Sequence, residues 1–246
     1  MQHSPDLAPA AIRAADATIH PAFRESPQYV HDGLTALAGA PVIVKVETVN
    51  PIRSFKGRGT WVAVHALAEE GRIGPDRPIA CVSAGNFGQG VAFAARSLGL
   101  PAVVFCSTRA NRSKVTRMRA LGATVHGTGD DFDAARGASE AWAADSGAHL
   151  IVDGDDPRIS TGAGTTALEV TDAVEAGQLP SIGTAVIPVG TGDLLIGVGA
   201  WLRHAAPACR VVGVQASAAD AMTRSWRAGR PIDTDPADTY ADGIAS

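Results

Sequence analysis

"PIACVSAGNFGQGVAFAARSLGLPAVVFC" (78–106) is the stretch on which the fold turns. Two apolar runs of strand length, "PIACV" (78–82) and "AVVFC" (102–106), flank a segment of helical length over 88–98, and Gly99 stands where a helix end favours a positive φ. Strand, helix and strand in that order make a βα unit on a parallel sheet. The pattern continues outward, with strands expected at "ATVHG" (123–127), "HLIVD" (149–153), "TAVIPV" (184–189) and "RVVGVQ" (210–215). Helices are expected over 57–70, 111–121, 131–145, 161–176, 193–204 and 218–228, with Gly122 and Gly177 at further helix ends. The fold class is therefore α/β with a mainly parallel sheet. No repeat, low-complexity tract or single linker divides the chain.

Composition narrows the partners. The 246 residues are 46% hydrophobic, enough to build a core for one domain or two small ones. With a net charge of −4 and scattered Lys and Arg, nothing suggests a nucleic-acid or acidic-lipid surface. The first twenty residues lack the order of a signal peptide, and no apolar run is long enough to span a bilayer. A cytoplasmic protein acting on small molecules is expected, with no nucleic-acid or membrane partner. Cys81, Cys106 and Cys209 are far apart in strand-like runs and read as buried free thiols.

In parallel sheets chemistry gathers where strands end and helices begin, and three such junctions carry unusual residues. In "NPIRSFKGRG" (50–59), Lys56 opens a helix. The helix N-terminus and Arg58 disfavour an ammonium there, which suits an imine-forming lysine; a solvated surface lysine is the alternative. "SAGNFGQG" (83–90) exposes amides at Gly85 and Gly88 beside Ser83, Asn86 and Gln89, a set suited to a carboxylate. A Ser/Asn-capped loop is the plainer reading. "GTGDLLIG" (190–197) runs a glycine turn into a helix N-terminus, a ready phosphate site, or else only a tight turn. It is no triphosphatase loop, because no Gly-Lys-Ser/Thr follows. Leu195 and Gln215 stand where a dinucleotide fingerprint needs Gly and an acid.

Taken together and in this order, the three junctions resemble the fold type II pyridoxal-phosphate enzymes of the tryptophan synthase beta superfamily, and most of all their serine/threonine dehydratase branch. The matching segments are "NPIRSFKGRG", "SAGNFGQGVAFAARSLGL", "DDFDAA", "TGAGTTALEV", "PVGTGDLLIGV", "RVVGVQ" and "DTYADGIA", collinear over 26–245. The resemblance implies two parallel-sheet α/β domains with pyridoxal 5'-phosphate between them. A small domain over 53–148 would be inserted into a large one made of 1–52 and 149–246. It implies that Lys56 holds the cofactor as an imine and later takes the α-proton, that Phe55 packs on the ring, and that Asn86 bonds its phenolic oxygen. Gly190, Thr191, Gly192, Asp193 and Leu194 would bind the phosphate. Ser83, Gly85, Asn86 and Gln89 would bind the substrate. The implied reaction removes water and ammonia from a β-hydroxy amino acid of the serine/threonine type, in a homodimer.

Several positions depart from the family pattern. Asp193 interrupts the glycine run, and a carboxylate there repels a phosphate unless its side chain turns away. Phe87 replaces the histidine usual after the asparagine in dehydratases. Ala84 replaces the serine of racemases, so racemisation is disfavoured. Gln215 and Ala221 replace cation ligands and leave only Asp220, so no tight metal site is expected. Family members also continue past "ADGIA", so the large domain is expected to lack strands, as in a fragment or an enzyme of compromised activity. Two other readings stand beside the lyase: a β-replacement or threonine-synthase-like enzyme, and an inactive truncated protein keeping the fold. Elsewhere "VDGDDP" (152–157) reads as a polar turn. The histidines read as solvated or structural, and Arg109, Arg112, Lys114, Arg117 and Arg119 as a solvated helix face.

Overall fold

The computed structural model describes residues 7–232 and 239–244. Asp238 and Ala245 of the "DTYADGIA" segment, and His3, lie outside the described residues. In chain order the elements are α1 (Pro9–Thr18), β1 (Gln28–Val30), α2 (Asp32–Ala38), β2 (Ile43–Lys45), α3 (Lys56–Glu69), β3 (Ile79–Val82), α4 (Asn86–Ser97) and β4 (Ala102–Cys106). Next come α5 (Arg112–Ala120), β5 (Thr124–Gly127), α6 (Phe132–Ser146), β6 (His149–Ile151), α7 (Pro157–Glu175), β7 (Thr184–Pro188), α8 (Asp193–Ala205), β8 (Arg210–Val214) and α9 (Ala221–Ala228). Gly99, Gly122 and Gly177 have φ of 69°, 94° and 71°, the left-handed conformation expected at these helix ends. α7 starts earlier than the sequence suggests, with Pro157 in the first turn, where its missing N–H costs nothing.

The chain divides into two compact units, the partition falling inside α7 between Ile159 and Ser160. One unit comprises residues 18–24 and 48–159. Its four strands are all parallel in the order β5-β4-β3-β6. β3 and β4 are buried at every residue, as strands covered on both faces must be. Ile79, Cys81, Ala102 and Val104 point into a core shared with α3, α4 and Met118 of α5. Ala80, Val103 and Phe105, on the opposite face, meet Ala138 and Trp142 of α6. This two-sided burial explains why the strand runs are continuously apolar rather than alternating.

The other unit comprises residues 1–17, 25–47 and 160–246. It pairs β7 with β8 in parallel and β1 with β2 antiparallel. Its core joins Ile12 of α1, Ala167 and Leu168 of α7, and Val198, Trp201 and Leu202 of α8. The Trp201 indole N–H donates to Thr171 at 2.8 Å, so the buried ring keeps its polar atom satisfied. Among the described residues no helix is long and apolar enough to cross a membrane.

Two expectations need correction. Cys81 and Cys106 are buried and free, but Cys209 is only half-buried, because β8 lies at the edge of a two-stranded sheet. The basic helix face is not uniformly solvated. Lys114 is partly desolvated, which pulls its pKa down, and the guanidinium of Arg117 donates to the Pro51 carbonyl at 3.3 Å.

Candidate active site

The turn before Lys56 is tied by its own residues. The Asn50 side-chain oxygen accepts from the amides of Ile52 and Ser54, both at 3.2 Å, and its Nδ2 donates to the Ser54 carbonyl at 3.1 Å. Arg53 takes a left-handed φ of 55°, a strain the Asn50 clasp holds in place. The clasp delivers Lys56 as the first residue of α3, with its amide donating to Ser54 Oγ at 3.3 Å. Lys56 is buried, its Nζ 5.5 Å from the Phe55 ring centroid and 5.8 Å from that of Phe87.

Facing Lys56 is a residue the sequence reading set aside. Lys56 Nζ donates to Asp153 Oδ1 at 2.6 Å, with the Lys56 side chain 11% and the Asp153 side chain 23% exposed. "VDGDDP" is therefore not merely a polar turn. β6 pairs with β3 in the register Cys81 to Ile151, and Ser83 and Asp153 each lie two residues beyond that pair. From β3 the chain moves outward through β4 and β5, then returns to β6 on the other flank of β3. The carboxyl ends of β3 and β6 thus form the crevice where connections diverge, the place where open parallel sheets bind ligands. Burial, followed by the Asp153 charge, drives the Cys81 thiol far above its ordinary range, so Cys81 is an inert neighbour here.

The loop after β3 holds the other expected residues of this unit. Ser83 Oγ accepts from the amides of Gly85 at 3.1 Å and Gly88 at 3.0 Å. With its lone pairs so engaged, the Ser83 hydroxyl proton is left to donate outward. Asn86 opens α4, half-buried, and its Oδ1 accepts from Gln89 Nε2 at 3.3 Å. Gln89 is 2% exposed, yet its Oε1 has no hydrogen-bond partner among the described residues. A buried acceptor without a donor is costly, and a ligand donor at this loop removes the cost.

The loop after β7 belongs to the other unit. Gly192 has φ 103°, a value that suits glycine alone, and this bend turns the chain into α8. The N-cap residue of α8 is Gly192, which has no side chain of its own to bond the first helical amides, and a helix N-terminus favours an anion. Asp193, only 2% exposed, accepts from Ser160 Oγ at 3.0 Å and Thr191 Oγ1 at 2.9 Å. Its carboxylate is thus held by two hydroxyls, which answers how an acid is accommodated in this turn. Gly190, Thr191 and Leu194 lie on the same turn and first helical residues.

Near the cation-site positions, Gln215 accepts from the Thr223 amide and hydroxyl, and Asp220 pairs with Arg224 at 2.8 Å. Among the described residues no cluster of three or more His, Cys, Asp or Glu side chains is placed to hold a metal ion. Sequence reading found Lys56, the loop after β3 and the loop after β7. It missed Asn50, Asp153 and Ser160, of which Asp153 alone carried a signal, its place at the end of an expected strand.

Comparison with known proteins gives a consistent picture. A family model described as pyridoxal-phosphate dependent enzyme matches residues 19–246. The L-threonine ammonia-lyase of Thermotoga maritima is 34% identical over 234 residues, 95% of this chain and 56% of that protein. The biosynthetic L-threonine dehydratase of Lactococcus lactis is 33% identical over 209 residues, 84% of this chain and 49% of that protein. The chain therefore spans about half the length of the curated relatives it matches. Among solved structures, the processed threonine deaminase isoform 2 of Solanum lycopersicum superposes with a TM-score of 0.86 at 30% identity, covering 99% of this chain and 65% of that one. Maize serine racemase gives a TM-score of 0.89 at 27% identity, covering 97% of this chain and 70% of that one. On the family match across nearly its whole length, the chain belongs to the pyridoxal-phosphate dependent enzymes.

Proposed function

We propose that the chain carries the catalytic residues of an ammonia-lyase that removes water and ammonia from a β-hydroxy amino acid of the serine/threonine type. The observation that carries this is Lys56, a buried amine at a helix start between two aromatic rings, beside a loop with an unpartnered buried acceptor. Relatives named as threonine dehydratases and ammonia-lyases support the choice of reaction.

The residues present fit the family's cofactor. Lys56 would anchor it covalently, Phe55 would pack against its ring and Asn86 would bond its phenolic oxygen. The turn of Gly190, Thr191, Gly192, Asp193 and Leu194, at the N-terminus of α8, would bind its phosphate. Pyridoxal phosphate, when bound, supplies an aldehyde for the amino group and an electron sink for the α-carbon. The protein supplies position. Ser83 would donate its hydroxyl proton to the substrate carboxylate, the Gly85 amide being engaged by Ser83 Oγ. Gln89 Oε1, an acceptor, would take a substrate N–H or O–H rather than the carboxylate, and Lys56 Nζ would take the α-proton. In this reading 53–148 is the smaller, inserted domain, and the working assembly is a cytoplasmic homodimer, the association being checked by light scattering.

The test is the absorbance spectrum of the purified protein with pyridoxal phosphate, before and after borohydride, with the modified peptide mapped by mass spectrometry. A visible band, fixed by reduction onto Lys56, is expected together with keto-acid release from L-serine or L-threonine. Lys56→Ala should abolish the band; a band that survives the substitution would reject the assignment.

A further inference from the structure

We infer that Asp153 selects substrates by the charge of the β-substituent, favouring a hydrogen-bond donor, either hydroxyl or ammonium, and rejecting an anionic group such as a phosphate ester. The inference rests on the reading of Lys56 given above. To take the α-proton, Lys56 Nζ must come within about 3–3.5 Å of the α-carbon. Asp153 Oδ1 lies 2.6 Å from that nitrogen, so it is at most about 6 Å from the α-carbon, close enough for a β-substituent turned toward it to meet it.

The carboxylate is held in a setting where charge counts. Its side chain is 23% exposed, its partner Lys56 11%, and the rings of Phe55 and Phe87 lie beside the amine. Limited solvent raises the effective strength of any second charge brought there. A β-hydroxyl or β-ammonium can donate to Asp153. A β-phosphoryl group offers only acceptors and a like charge, and such repulsion is a common basis of specificity. Asp153 therefore weighs against the variant of the synthase reading in which a phosphate ester is the leaving group.

The experiment uses the protein loaded with pyridoxal phosphate, first checked for cofactor fixed on Lys56 by borohydride. Binding of L-serine and of O-phospho-L-serine is then measured from the concentration dependence of the first rapid change in the visible spectrum on mixing, before keto acid is released, at one pH and low salt. The wild-type protein is expected to favour L-serine by roughly tenfold or more. Asp153→Asn, which keeps size and removes charge, should shrink that preference roughly tenfold, while Asp153→Glu should retain it. Equal binding of the two ligands by the wild-type protein overturns the inference whether or not a variant folds. An unchanged ratio in Asp153→Asn with cofactor on Lys56 overturns it as well. Absence of cofactor from Lys56 in the wild-type protein is a different result, and rejects the underlying reading of the site.

Discussion

Lys56 and Asp153 are 97 positions apart in the chain and 2.6 Å apart in space. His149, four residues before Asp153, provides a test of the same segment that depends on proton binding. Its pKa is lowered first by burial and then by the charges of Arg72, Arg77 and Arg158, against a smaller opposing pull from Asp156. A histidine whose folded pKa lies below its unfolded value binds its proton later than the unfolded chain does as pH falls. The unfolded state then holds more protons, and stability decreases as pH drops below the ordinary histidine value of about 6.5. His149→Gln should flatten that loss, read as a smaller fall in thermal midpoint between pH 7.5 and pH 5.5 (about two units spanning that value). An identical fall in both proteins would assign the acid sensitivity to other groups. Residue type and local spacing made Lys56, Ser83 and Asn86 legible, since each sits in a motif whose chemistry is complete within a few positions. Asp153 acts through a partner 97 positions away at the start of α3, and three aspartates within four residues, ahead of a proline, look the same whether solvated or paired.

At the level of elements, α7 and α8 cross at glycine. A Cβ built on Gly197 would lie 2.0 Å from the Ser160 carbonyl oxygen and 2.6 Å from the Gly164 nitrogen, both backbone atoms of α7. Backbone cannot rotate aside as a side chain can, so Gly197→Ala should destabilise by about 3 kcal/mol through separation of the two helices. Gly199, two residues further along α8 and so on its opposite face, has nothing within 4 Å of its built Cβ among the described residues. Gly199→Ala should therefore stabilise by about 0.5–1 kcal/mol by restricting the unfolded chain. Denaturant midpoints for the pair measure both effects, and a similar change in both would show that helix propensity, not the crossing, governs α8. The same crossing places Ser160 against Asp193, so packing and the conformation of the 190–194 turn, the proposed phosphate site, share one contact. α8 was legible because its apolar residues recur on a buried face, and β7 and β8 as β-branched apolar runs, although Val186 and Val214 are exposed. β1 and α2 were not, since β1 has two exposed residues of three and α2 buries none, leaving no periodic signal.

For the molecule as a whole, cofactor binding and folding stability are the same measurement. A ligand that binds only the folded chain stabilises it by RT ln(1 + [L]/Kd), about 2.7 kcal/mol at a hundredfold excess over Kd. For a chain of this size that corresponds to a rise in thermal midpoint of about 5–10 °C, taking about 2–4 °C per kcal/mol. Pyridoxal phosphate should produce such a rise in the wild-type protein. Lys56→Ala should keep part of it, because the phosphate site proposed at 190–194 needs no amine. Gly192→Ala forces an alanine into φ 103°, and should lose most of the rise together with some intrinsic stability. Pyridoxal without its phosphate separates the two contributions: it can still react with Lys56 but offers no anion to the α8 amides. A midpoint rise with pyridoxal equal to that with pyridoxal phosphate would remove the turn from the binding site. A rise confined to the phosphate form and lost in Gly192→Ala would make the helix N-terminus the main source of cofactor affinity, with Lys56 supplying the covalent hold.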